Sequence, residues 1–212
     1  MGQYYKIAFR NVGMAIKAKV VDPGYVRTSR KLTEHSYIGN MLCDAFAWMI
    51  HCNPTKIIWC GDYAEDVEEK TQGLLSLGDI HWDENVTVPK GIKETIVATN
   101  RKFNYNGRFL VNHSIREYLD FNDYFATCGG KGEGGDTYNP IPLLTAVGNG
   151  LGGGDYYGVD RERYVGAWAW DSISIEDELP RGYCRITPRF MDKRNLSKAK
   201  EAEVESQEKQ AE

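Results

Sequence analysis

The chain has 212 residues, of which 42% are apolar and 12% aromatic, and its formal net charge is −4. That is enough to bury a core without disulfide staples, and it carries no electrostatic footprint for DNA or RNA. The longest apolar run falls far short of a membrane span, and the opening "MGQYYKIAFR" lacks the apolar core of an export signal.

In chain order, "QYYKIAF" and "MAIKAKVVD" predict two strands of a hairpin, rich in β-branched and aromatic residues, with Asn11 and Gly13 at the turn. "DPGYVRTSR" is a loop. A helix is expected from near Thr33, because Ile38, Met41, Leu42, Ala45, Phe46 and Met49 fall on one stripe. Gly39 inside that pattern implies either a close contact or a later helix start. "HCNPT" ends the helix, since the residue before Pro54 resists the α region. "KIIWCGDY" is a buried strand running into Gly61 and Asp62. The span 65–90 is acidic and irregular and reads as an exposed excursion. "ETIVAT" is a further strand, and "GRFLVNHSIREYLDF" is a second hairpin turning near Asn112, His113 and Ser114. "NDYFATC" is at best a short helix. "NPIPLLTAVG" is a compact helix, with Asn139 as N-cap, Pro140 in the first turn and Gly148 as its terminator. In "YVGAWAWDSISIE" strict alternation predicts a strand that carries Asp171 on its apolar face if unbroken. A buried carboxylate there has to be paired, neutral or at a bulge. The expectation is one α+β domain over 1–195, with antiparallel hairpins forming one or two sheets, a few short helices, and a solvated or disordered tail over 196–212.

Five cysteines, odd in number and irregularly spaced, predict reduced thiols in a cytoplasm. His51, Cys52 and Cys60 lack a C-x-x-C pair, so the spacing gives no zinc signature. Cys43 reads as packing.

The stretch "VGNGLGGGDYYG" contains G-x-G-x-x-G at Gly148, Gly150 and Gly153. A dinucleotide fingerprint needs a strand before the glycines and a helix after them; here the helix signal comes first and its negative end faces the loop. The loop therefore reads either as a tight path from helix to strand or as backbone that must approach a ligand beside Asp155. Gly-Asp-Tyr occurs twice, at Gly61–Tyr63 and Gly154–Tyr156. If both face one hollow, ligand contacts fall on Asn40, Asp62, Tyr63, Asn149, Gly153, Gly154, Asp155, Tyr156 and Trp168. A hard cation, Mg²⁺ or Mn²⁺, would take Asp62, Asp155 and Asp171 as oxygen ligands. Glu34, His35 and Asp171 would then be the catalytic groups, with Glu34 or His35 handling protons. Asp62 and Asp155 read equally well as residues that satisfy turn backbones.

The blocks "MGQYYK", "KLTEHSYIGN", "IIWCGDYAED", "RFLVNHS", "PLLTAVGNGLGGGDYYG" and "VGAWAWD" together resemble a family of small proteins of unknown function. The family occurs in bacteriophages and bacteria, with more distant fungal relatives. The resemblance runs in separated blocks from Met1 to about Glu178. It implies one fold and a bacterial or host cytoplasm, and it supplies no activity, cofactor or catalytic residue. "VRTSRKLT" stands where that family has a glycine-containing stretch.

Two functions follow as expectations. One is a binding or interaction protein without catalysis, whose partner is a protein or small molecule and neither nucleic acid nor membrane, with tyrosines and tryptophans as anchors. The other is a divalent-metal-assisted hydrolase or nucleotide-binding enzyme using Asp62, Asp155 and Asp171.

Overall fold

A computed structural model describes residues 3–13, 18–82, 102–128, 137–149, 156 and 161–188. The first hairpin is β1 (Tyr5–Asn11) and β2 (Lys19–Val21), antiparallel with Ile7 opposite Val21. A 3₁₀ turn at Pro23–Val26 follows, held by the Asp22 carboxylate, which accepts from the Gly24 amide at 2.8 Å. The predicted helix divides in two. Helix α1 is only Leu32–His35, and α2 begins at Met41 and runs to Ile50. Gly39 between them has φ +84° with open space where a Cβ would sit, so it makes a left-handed turn that delays the helix. Asn40 then caps α2, its side-chain oxygen accepting from the Leu42 amide at 2.9 Å.

Strand β3 (Thr55–Gly61) lies fully against β1, Tyr5 opposite Gly61. The described part of the acidic span contains two short helices. Helix α3 (Val67–Thr71) and helix α4 (Leu77–His81), the latter closed by a Ser76–Asp79 capping box, bury Val67, Thr71 and Ile80. The span expected to be irregular thus holds two short helices, while most of residues 65–82 are exposed. "ETIVAT", the stretch 83–101, the end of the acidic span and the tail from Leu196 lie outside the described residues.

The second hairpin is β4 (Phe109–Asn112) and β5 (Glu117–Asp120), as expected. It is followed by a one-turn helix α5 (Phe121–Asp123) and a π turn at Tyr124–Cys128. Helix α6 (Pro140–Thr145) carries its predicted cap, Asn139 accepting from the Ile141 amide at 2.9 Å. It ends earlier than Gly148, because Ala146–Val147 form β6, parallel to β3. After α7 (Arg161–Tyr164), the predicted long strand is broken: 165–170 is a series of turns, with Gly166 at φ +71° and Trp170 at φ +64°. Only β7 (Ser172–Glu176) is strand, and β8 (Cys184–Arg185) closes the edge.

These strands form one sheet in the order β2-β1-β3-β7-β4-β5-β8, mostly antiparallel, with β6 paired to β3. The fold is α+β. The strand β3 is buried on both faces. Ile57 and Trp59 join the larger core beneath α1, α2 and α6; Ile58 and Cys60 join a smaller one beneath α3 and α4. No helix of the described residues is long and apolar enough to cross a membrane.

Candidate functional site

The carboxyl ends of β3 and β6 meet where the sequence placed its two unusual glycine segments. The parallel register Cys60↔Val147 carries Gly61 and Gly148 side by side. Gln3, 1% exposed, lies over both. A Cβ on Gly61 would fall 2.2 Å from Gln3 Nε2, and one on Gly148 would fall 2.5 Å from Tyr5 Oη and 2.7 Å from Gln3 Oε1. These two glycines therefore make room for an amide. Tyr5 Oη donates to Gln3 Oε1 at 3.2 Å, while Gln3 Nε2 has no hydrogen-bond partner among the described residues. Gly61→Ala is expected to lower stability by about 1–3 kcal/mol through overpacking. In a Gln3→Ala background most of that loss disappears, as a double-mutant cycle by urea unfolding would register; equal losses in both backgrounds would discount the contact.

Asp62 ties down the adjoining turn. Its carboxylate accepts from the Tyr4 amide at 3.0 Å, and its own amide donates to the Tyr4 carbonyl at 2.9 Å. Around this point the surface is aromatic: Tyr4, Tyr25 and Tyr63 are 49%, 63% and 46% exposed. The Tyr4 and Tyr25 phenols both lie within electrostatic reach of the Arg30 guanidinium, which is itself bound to Asp22 at 2.8 Å. Asn149, next to Gly148, is exposed at this same end. Of the predicted ligand-binding set, Asp62, Tyr63 and Asn149 are thus gathered here. Gly153, Gly154 and Asp155 lie outside the described residues.

The remaining predicted residues have other work. His35 is fully buried, and its Nε2 accepts from Trp59 Nε1 at 3.0 Å. Its Nδ1 makes no hydrogen bond of good geometry among the described residues, although the Lys31 and Ser29 carbonyls are near. Burial lowers its pKa to about 4, against the pull of those carbonyls. Glu34 points to solvent and is held below the usual carboxylate range by the Ser29 hydroxyl and Lys31, the latter at 2.9 Å. The two candidates for handling protons are therefore a buried neutral imidazole and an exposed anion. Asn40 is a helix cap. Tyr156 is buried, its ring edge-on to Tyr138 at 5.0 Å and its phenol near Ser36, so the "EHSYIGN" and "GGGDYYG" blocks do touch. Trp168 is 0% exposed and its Nε1 donates to Glu117 at 2.9 Å, so it is a core residue and not a surface anchor.

Asp171 does not sit on an apolar face, because the strand begins only after it. Its carboxylate accepts from Asn112 Nδ2 at 2.8 Å. The Lys56↔Ser172 register sets Asp171 opposite Ile57. Five residue steps of β3 separate Ile57 from Asp62, so the two aspartates are about 16 Å apart along the strand. Carboxylates on one cation each sit about 2 Å from it. The metal set Asp62, Asp155, Asp171 is thereby corrected, whatever the position of Asp155.

A second polar centre escaped the sequence reading. Asp44, buried on α2, accepts from Tyr105 Oη at 2.9 Å, and Asn139 Nδ2 donates to that same phenol oxygen at 2.9 Å. Burial raises the Asp44 carboxyl and drives the Tyr105 phenol well up. Asp44 sits on the helix stripe's polar flank and gave no signal, since its partner is 61 residues away.

A comparison with protein families, curated proteins and solved structures finds no match to this chain.

Proposed function

We propose that the chain is an interaction protein, a bacterial or phage accessory factor that works by docking a partner at the β3/β6 end of the sheet. One observation carries the reading: three exposed tyrosines and Arg30 border the point where Gly61, Gly148 and Asn149 converge. Tyr and Arg supply large contact area and are enriched among residues that dominate binding energy. The phage or bacterial setting is what the resemblance of the sequence blocks implies, and free Cys43, Cys52, Cys60 and Cys184 fit a reducing cytoplasm.

The test is capture of a partner from bacterial lysate by the tagged full chain, followed by an affinity measurement on the purified pair. Replacing Tyr4, Tyr25 and Tyr63 with alanine together should weaken binding by roughly 30-fold or more, the effect of losing about 2 kcal/mol. Undiminished binding by the triple variant would remove the surface from consideration. A parallel thermal-shift panel with Mg²⁺, Mn²⁺, Ca²⁺ and nucleotides separates this reading from an enzymatic one, since a ligand of the native state raises its melting temperature.

A further inference from the structure

At the opposite end of β3, two short segments distant in sequence bring three unlike metal-binding side chains together. Helix α2 ends at Ile50, and the chain leaves it through His51, which forms a parallel bridge with Ile175. The Cys52 amide donates to the Ile175 carbonyl at 2.9 Å, and Cys52 takes φ +51° to do so. That register lays Cys52 alongside the end of β7, where Asp177 follows. The ligating atoms of His51, Cys52 and Asp177 all lie within 4.8 Å of one another.

We infer that His51, Cys52 and Asp177 form a binding site for a zinc-type divalent cation, exposed at the surface with one coordination position left to water. The donor set selects the ion. A thiolate with an imidazole suits Zn²⁺ and disfavours Mg²⁺, Ca²⁺ and Mn²⁺, which prefer all-oxygen sites. Zinc bonds of about 2.0–2.3 Å require ligand atoms about 3.3–3.7 Å apart, so closing the site takes shifts of about 1 Å in these ligating atoms. His51 Nε2 already lies 3.1 Å from Asp177 Oδ1, and the ion would enter between them. His51 then binds through Nε2 with its proton on Nδ1, and Cys52 gives its proton to solvent.

The surroundings support such a centre. Arg108 Nε donates to Asp177 Oδ1 at 2.7 Å and fixes the carboxylate, as outer-shell donors do in metal sites. Phe103 and Trp48 stand edge-on to the His51 ring, at 5.6 and 6.3 Å between centroids, and limit its rotation. Glu176, Asp177 and the Cys52 thiolate outweigh Arg108, leaving negative charge that a divalent cation neutralises.

Reduced, metal-free full-length protein is titrated with Co²⁺ as the spectroscopic probe. The expected result is stoichiometric uptake with a thiolate-to-cobalt charge-transfer band that Zn²⁺ abolishes by displacement. Zn²⁺ should also protect Cys52 from iodoacetamide while the exposed Cys184 keeps reacting. Cys52→Ser should lose the band and Cys184→Ser retain it, and Arg108→Gln should weaken uptake by roughly 10–100-fold. Cys52 is exposed, so Cys52→Ser should melt close to wild type, which separates loss of a ligand from loss of the fold. Absence of the band in the wild type, its survival in Cys52→Ser, or equal protection of both cysteines would overturn the site.

Discussion

Acidification from pH 6.5 to 4 removes about 3 kcal/mol of stability through His35 alone, because its pKa falls from 6.5 in the unfolded chain to about 4 in the fold. Across that window the unfolded chain binds a proton that the folded chain refuses. The contribution is therefore complete above pH 6.5 and is lost as pH falls through the window to 4. The structural reason is the fully buried ring, which accepts from Trp59 through Nε2 and so must keep that nitrogen unprotonated. Asp44 acts in the opposite sense: its raised carboxyl favours the fold at low pH, so the wild-type profile alone mixes two effects. The comparison with His35→Gln isolates the histidine, since a glutamine oxygen can still accept from the indole. Urea unfolding at steps from pH 7 to 4 should give a flatter profile for the variant. Parallel profiles would remove His35 as the cause.

Gly166→Ala is expected to cost about 3 kcal/mol or more, adding a left-handed backbone penalty to a steric one. Gly166 has φ +71°, and a Cβ would lie 2.3 Å from the Ala146 carbonyl oxygen, a backbone atom that cannot swing aside. The close approach is what lets the Gly166 amide donate to Leu143 at 3.0 Å and the Trp168 amide to Leu144 at 2.7 Å. Those bonds satisfy the carbonyls at the end of α6 and seat Trp168 in the core. Gly182→Ala is the control. Its φ is +79°, but nothing lies within 4 Å, so only the backbone penalty of about 1–2 kcal/mol applies. Urea midpoints of the two variants should differ clearly. Equal midpoints would mean that the carbonyl contact carries no weight.

The elements legible in the sequence were those built from local pattern. The two hairpins, the β3 run, the cap at Asn139 and the end of α2 ahead of Pro54 all follow from turn chemistry and apolar period. The failures share one cause, which is contact with distant residues. Alternation over Val165–Trp170 looked like a strand, yet hydrogen bonds to Leu143, Leu144 and Ile57 hold it in turns. Trp168 resembled an anchor because its partner, Glu117, lies 51 residues away. His51 and Cys52 gave no metal signature because spacing rules cannot see Asp177, 126 residues on from His51. Gln3 carried no signal at all, although it explains why Gly61 and Gly148 have no side chains. The first Gly-Asp-Tyr was read correctly in its plainer sense, with Asp62 satisfying a bend.

The sheet order sets a timetable for assembly. β7 stands between β3 and β4, yet it is made after both, with Thr55 waiting for Ile173 and Leu110 for Ile175. Before β7 is made, β1–β3 and the β4–β5 hairpin share no strand pairing, and the edges of β3 and β4 that β7 covers are open. Such edges invite pairing with other chains, and closing a gap of this sequence length is slow. A strand made late in the chain, with only β8 after it among the described residues, is therefore the one that makes a single sheet of two halves.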